Sequence, residues 1–242
     1  MTRTLSILIL SCLAAFAAPM GFMDARVDGT NLINWWTLNE GSGAVAGDYA
    51  GTNVANLTNS PTWKTGKIAS ALQFNGTNQG GLMTNGNAFN FSTNFSVAVW
   101  VYPTSPLNHP MGILGNEDNA GGKKGWAARV DGNGSTLKAV FAMNTGGTYD
   151  EVDSLVLPSN TWVHLAFIYN AGVAYLYTNG ISSTNKAIVL AVNTNNNKVC
   201  LGDERVQTQD RHFMGIIDDL RIYNNALNSE QIRLLSNQRG IR

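Results

Sequence analysis

Two adjacent acids interrupt an apolar run near the C-terminal end of the chain, Ile216-Ile217-Asp218-Asp219-Leu220-Arg221-Ile222-Tyr223. A second acidic stretch, YDEVDSLVL, carries Glu151 and Asp153. Carboxylates do chemistry in pairs, as acid and base or as acid and nucleophile, and both must reach one bond. Asp218 and Asp219 fail that requirement on a strand, because neighbouring residues point to opposite faces. By the same alternation Asp219 shares a polar face with Arg221 and Tyr223, while Asp218 shares one with Ile216, Leu220 and Ile222. An inward Asp218 needs backbone N–H groups, an arginine or a metal, since an unpaired buried charge is very costly. Glu151 and Asp153 would share a face on a strand, but the stretch reads as a solvated loop. The chain contains no Gly-x-Ser-x-Gly elbow, no His-Glu-x-x-His, no paired cysteine motif and no phosphate-cradling glycine loop. Its histidines, His109, His164 and His212, are scattered, and His164 in WVHLAF reads as a packed, hydrogen-bonded core residue.

The elements that must position these residues read as strands. Short apolar stretches of period two alternate with turns rich in Asn, Gly, Thr and Ser. Strands are expected over 32–38, 71–76, 95–103, 125–131, 136–143, 161–170, 173–180, 197–202 and 215–223. Asp131-Gly132-Asn133-Gly134 and Asn179-Gly180 are turn sequences that tolerate positive φ and close tight hairpins. Val163, Leu165 and Phe167 alternate with Trp162, Ala166 and Ile168, so that strand is apolar on both faces, as in the middle of a covered sheet. A short terminal helix is expected in ALNSEQIRLL, with Asn228 as N-cap, Gln231 completing a capping box and Leu227 stapling to Ile232.

The 242 residues are 44% hydrophobic, enough for one large domain. Sixteen basic residues balance sixteen acidic ones, which leaves no basic footprint for nucleic acid. Arg3, the apolar run from Leu5 to Leu13 and the small-x-small Ala15-Phe16-Ala17 read as a signal peptide over residues 1–17. That run is shorter than the ~20 residues that span a bilayer, and no later segment qualifies as a membrane span. A lipoprotein cleavage site at Leu10-Ser11-Cys12 is the alternative reading. The expectation is therefore export to the periplasm, the cell surface or the medium. Residues 18–30 are expected as a loose lead-in and 31–242 as a single domain. Cys200 then stands alone, so no disulfide framework supports the fold, and it reads as a small buried side chain.

Seven stretches in order carry a resemblance: INWWTLNEGSG (33–43), GDYAG (47–51), PTWKTGKIASALQFNGT (61–77), FSVAVWVYP (95–103), TWVHLAFIYN (161–170), LYTNG (176–180) and MGIIDDLRIYNNALNSEQI (214–232). In these the chain resembles the laminin-G-like, concanavalin A-like lectin/glucanase superfamily. The resemblance implies an all-β fold, a two-sheet antiparallel jelly-roll sandwich with one short C-terminal helix. It does not by itself imply one function, because the superfamily hosts lectins, glycan-cleaving enzymes and adhesion modules.

Its retaining hydrolases place a nucleophile and an acid/base glutamate on one strand, ~5–5.5 Å apart. The nearest match here is Glu151 and Asp153, but Leu155 or Val156 stands where the second glutamate belongs. No catalytic residue is therefore expected, and a laminarinase-type hydrolase is the lesser alternative. Carbohydrate is the ligand class the resemblance favours, bound by aromatic platforms together with amides and carboxylates. The loops GNEDNAGGKKGW and GGTYDEVD supply Asn116, Glu117, Asp118, Trp126, Tyr149 and Asp150 as binding candidates. Asp48 and Asp218 match family acids near the first and last strands, and the resemblance implies that the two can meet at one structural calcium ion (Ca2+). Glu40 is a weaker third ligand. A hydrogen-bonded anchor is the competing role for Asp218. A non-catalytic module that binds a glycan is the expected function, with a protein-binding adhesion or scaffold module contacting a cell-envelope component as the alternative.

Overall fold

The computed structural model describes residues 26–29, 31–83, 85, 89–91, 93–104, 108–117, 125–144, 148–188, 198–204 and 211–238. The expected signal peptide lies outside the described residues. Among those described, two antiparallel sheets of eight strands form the expected sandwich. The first sheet contains β1 (Leu32–Trp36), β4 (Thr62–Thr65), β5 (Ser70–Asn75), β7 (Phe95–Pro103), β12 (Val163–Asn170), β13 (Val173–Thr178), β14 (Ile181–Ala187) and β16 (Met214–Tyr223). Its order is β14-β13-β12-β7-β16-β5-β4, with β1 also paired to β16. The second contains β2 (Val45–Ala46), β3 (Ala55–Thr58), β6 (Gly80–Met83), β8 (Pro110–Gly115), β9 (Trp126–Gly132), β10 (Leu137–Asn144), β11 (Tyr149–Leu157) and β15 (Cys200–Leu201), in the order β11-β10-β9-β8-β15-β6-β3-β2.

The core between the sheets is built by alternation. Val97, Val99 and Val101 of β7 and Leu165 and Phe167 of β12 meet Ala128 and Val130 of β9 and Phe141 and Met143 of β10. Each large side chain buried this way stabilises by roughly 1.5–3 kcal/mol, which is how a domain without a disulfide framework holds together. Cys200 is buried in this setting, and burial pushes its thiol up to about 12, so it behaves as a packing residue rather than a nucleophile.

The outer face of the first sheet is covered as well. Ala98, Ala166, Ile168 and Tyr223 pack against Trp35 and against Ile232 and Leu235 of α1 (Ser229–Ser236). Asn228 and Gln231 close the capping box as the sequence leads one to expect. The described part of the lead-in is not loose. Val27 and Asp28 are buried there, and Asp28 accepts from Arg221 Nη1 at 2.8 and 2.9 Å and from the Tyr223 hydroxyl at 2.9 Å.

β16 departs from strict alternation. Its first half pairs with β5 through Met214–Ile217 and its second with β1 through Leu220–Tyr223, so the strand changes partner at the paired acids. A bulge absorbs the change, with Asp219 at φ +48°. Ile217, Leu220 and Ile222 therefore enter the sandwich core, while Tyr223 packs on the outer face. The alternation expected for Asp218 is thus broken: it lies opposite Trp100 on the outer side and is fully buried there. Its Oδ2 accepts from the Ile68 N–H at 2.8 Å, with further backbone donors from Lys67 and Asp219. Burial and the neighbouring Asp219 push its carboxyl well above the usual carboxylate range.

His164 lies in the same row, opposite Trp100, with its ring edge-on to the indole at 5.2 Å. It is packed as expected, but its Nδ1 has no hydrogen-bond partner among the described residues. Burial, aided by Arg221, pushes the imidazole down to about 3. The unfolded imidazole titrates near ~6.5. A depressed histidine contributes stability above the unfolded value and loses it as pH falls toward the folded one, on the order of 2 kcal/mol by pH 5. Asp218 acts in the opposite sense, its contribution being lost as pH rises. His164→Leu should therefore lose less stability than the wild type between pH 7.5 and pH 5 in urea unfolding. Equal losses would contradict the assignment.

Candidate functional site

β9 sends Trp126, Ala128 and Val130 into the core and, by alternation, Arg129 and Asp131 to the outer face of the second sheet. Arg129 is 3% exposed and is the hub of an ion-pair cluster. Its Nε donates to Asp131 Oδ1 at 2.7 Å, and Nη2 donates to Asp131 Oδ2 at 3.1 Å and to Glu151 Oε1 at 2.8 Å. Glu117 and Glu204, both fully buried, each bring a carboxylate oxygen to 3.7 Å from the guanidinium, and Arg211 pairs with Glu204. Burial alone would lower the Arg129 pKa, but Asp131, Glu204 and Glu151 outweigh it and hold the guanidinium charged.

Backbone geometry brings Glu204 in. The Glu117 N–H donates to the Glu204 carbonyl at 3.1 Å, and the 203–204 backbone crosses directly over β8 at Gly112. A Cβ at Gly112 would lie 2.2 Å from the Glu204 nitrogen, so only glycine permits this crossing. Nearby, His212 Nδ1 lies 3.1 Å from the Gln79 carbonyl and 3.4 Å from Asp203.

The binding candidates separate in this frame. Glu117 is in the cluster, and Asn116 is a scaffold residue whose Oδ1 accepts from the Trp126 N–H at 3.1 Å. Asp118 lies outside the described residues. Trp126 is 2% exposed, donates from Nε1 to the Phe89 carbonyl and packs among Phe91, Phe95 and Phe141. Its ring is a core element and offers no surface platform. The stretch read as a solvated loop, YDEVDSLVL, is the edge strand β11. Strand alternation puts Asp150 and Glu151 on opposite faces: Asp150 pairs with Lys186 of β14, which holds it below the usual carboxylate range, while Glu151 joins Arg129. Tyr149, half-buried, lies on the Glu151 side. Sequence reasoning missed Arg129, Glu204 and the side of the strand on which Glu151 meets Arg129. The strand period in YDEV was the available signal for the last.

Asp48 and Asp218, the two acids expected at calcium, are held by separate sets of donors. Asp48 Oδ1 accepts from the N–H groups of Trp35 (2.9 Å), Ala50 (3.2 Å) and Gly51 (3.0 Å), and Oδ2 accepts from the Asn53 N–H (2.9 Å) and Asn34 Nδ2 (2.5 Å). Donors occupy the lone pairs a hard cation would need, and Asp218 has its own separate backbone donors. Glu40 Oε1 is likewise taken by the Gly47 N–H. Both Asp48 oxygens are occupied by donors, which fits a hydrogen-bonded anchor. No group of three potential metal ligands occurs among the described residues. Wild type and Asp48→Asn should therefore each melt at the same temperature in calcium and in EDTA. A calcium-dependent rise confined to the wild type would contradict this.

Residues 75–233 match a laminin-G family model described as the concanavalin A-like lectin/glucanases superfamily. The chain belongs to that superfamily. Among solved structures of this fold, domain 4 of the extracellular arabinanase AbnA from Geobacillus stearothermophilus, determined with arabinotriose, is 24% identical. The alignment covers 86% of this chain and 98% of that one, with a TM-score of 0.67. The binding domain of a paraclostridial mosquitocidal protein is 20% identical, with 86% and 52% covered and a TM-score of 0.64. Trypanosoma rangeli sialidase is 16% identical, with 87% and 33% covered and a TM-score of 0.65. A search by sequence among curated proteins finds no match. Among the described residues no helix is long and apolar enough to cross a membrane.

Proposed function

We propose that the protein is an exported, non-catalytic glycan-binding module that uses the outer face of its second sheet. The carrying observation is the arrangement along β9 and β11. Half-buried Tyr149 and partly exposed Glu151 and Asp131 share that face, and Arg129 fixes both carboxylates from beneath. A tyrosine ring offers an apolar platform, and fixed carboxylates accept from hydroxyls, which is the combination a sugar needs. Whole-domain correspondence with the arabinanase domain supports the reading, whereas the chain spans only a third of the sialidase. Export rests on the N-terminal Arg3, Leu5–Leu13 and Ala15-Phe16-Ala17 pattern.

The non-catalytic part rests on the carboxylates. Glu151 is held by Arg129 at 2.8 Å, and Asp153 lies on the exposed surface near Lys138. Glu117 and Glu204 are both buried and face the same guanidinium. Retention on immobilised arabinan, xylan, galactan and β-glucan tests the site. The double variant Tyr149→Ala/Glu151→Ala should lose retention on whichever polymer holds the wild type, by roughly tenfold or more in affinity. Unchanged retention would remove the site. A protein partner recovered with no retention on any polymer would favour the scaffold alternative.

A further inference from the structure

Charge is distributed unequally between the surface and the interior of the Arg129 face. Arg129 starts on β9 and crosses the outer side of β10, where Val140 and Ala142 are buried, to reach Glu151 on β11. Its Nη2 donates to both Asp131 Oδ2 and Glu151 Oε1, so carboxylates from the strands on either side of β10 converge on one nitrogen. The Asp131 and Glu151 side chains are 31% and 40% exposed, while the arginine that joins them is buried.

An arginine is the usual receiver for a ligand carboxylate, which it holds with the paired N–H groups of its fork. Here the fork is filled from within. Asp131 takes Nε and Nη2, Glu151 shares Nη2, and Glu117 lies 3.7 Å from Nη1. Turning Arg129 outward would break its bonds to both surface acids. Arg211 is engaged with Glu204. Lys138, 46% exposed, lies 3.9 Å from Asp153, which is 51% exposed. Among the described residues, a ligand on this face therefore meets three partly exposed carboxylates, Asp131, Glu151 and Asp153, and one well-exposed cation that already stands beside an acid.

We infer that this face selects its saccharide by charge, taking uncharged sugars and rejecting those that carry carboxylate or sulfate groups, with Glu151 as the specificity-determining residue. The inference rests on the reading of this face as the glycan-binding site. A sugar hydroxyl can donate to Glu151 or Asp131, whereas a uronate or sulfate group only accepts. Such a group would be brought beside fixed charges of its own sign, with the nearby cations already engaged.

Affinity electrophoresis at low salt tests this on whichever polymer retains the wild type, prepared as two lightly substituted derivatives of similar bulk, hydroxyethyl and carboxymethyl. The hydroxyethyl form should bind roughly tenfold more tightly than the carboxymethyl form. Added salt should narrow that ratio, because it screens exposed charges. Glu151→Gln and Asp153→Asn should each reduce the ratio by about threefold. Each variant is compared with itself on the two derivatives, so a uniform loss of affinity cancels. Equal retention of the wild type on both derivatives, or a ratio that neither salt nor either substitution changes, overturns the charge selectivity and leaves the glycan-binding reading standing. If no parent polymer retains the wild type, both are overturned.

Discussion

Replacing Arg221 with methionine should destabilise the protein by about 3–5 kcal/mol, the range for removing one partner of a buried ion network. The Arg221 side chain is 1% exposed and that of Asp28 is fully buried. One guanidinium binds Asp28 through Nη1, Asp219 through Nε and Nη2, and Gln238 through Nη2, and it lies 4.4 Å above the Trp35 ring. Its loss removes the positive charge from beside two buried carboxylates at once. It also releases the N-terminal segment, which Asp28 holds against the last strand. In a domain of this size the deficit corresponds to a fall of roughly 10 °C in melting temperature. Arg221→Lys should recover little, because a lysine cannot hold Asp28 in a fork while reaching Asp219 and Gln238. A thermal melt of each variant checks this, and a loss below 1 °C for Arg221→Met would contradict it.

Arg129→Met should cost about 3 kcal/mol at pH 7.5 by the same reasoning, and the loss should depend on pH. Glu117, Asp131, Glu151 and Glu204 all face this arginine, and Arg211 also pairs with Glu204. Without Arg129 the clustered carboxylates lose a shared positive charge while keeping their mutual repulsion, which favours their protonated forms. The folded variant then holds protons more tightly than the unfolded chain, so its stability is lost as pH rises and recovered as pH falls. Urea unfolding at pH 7.5 and pH 4.5 should show the gap between variant and wild type narrowing at the lower pH. A gap of constant size would point to lost packing instead of lost charge pairing.

Much of the fold is legible in the sequence because the core obeys a simple period. FSVAVWVYP forms β7 over the expected residues, and β12 is apolar on both faces because its outer side lies in the covered row with Ala98 and Ala166. Asn179 and Gly180 both take positive φ, as their hairpin requires. Several strands at and next to the sheet edges were not legible. β2, β3 and β4 have few buried positions, and β11 carries acids where a strand pattern would show apolar residues.

The site was less legible than the fold, for two physical reasons. The bulge at Asp218 and Asp219 arises because β16 changes partner there, and pairing partners are not written in local sequence. Arg129 and Glu204 are 75 positions apart and meet only because Gly112 lets the 203–204 backbone cross β8. Trp126 illustrates the converse. Loop-like surroundings suggested an exposed platform, but the first residue of β9 points inward and its indole fills the aromatic core.

Affinity electrophoresis through gels containing arabinan, xylan, galactan or β-glucan, with the gel eluate assayed for reducing ends, tests the central claim most directly. The protein should be retarded by at least one polysaccharide and release no reducing ends from it. Equal mobility in every gel, or reducing ends appearing with time, would contradict a non-catalytic glycan-binding module.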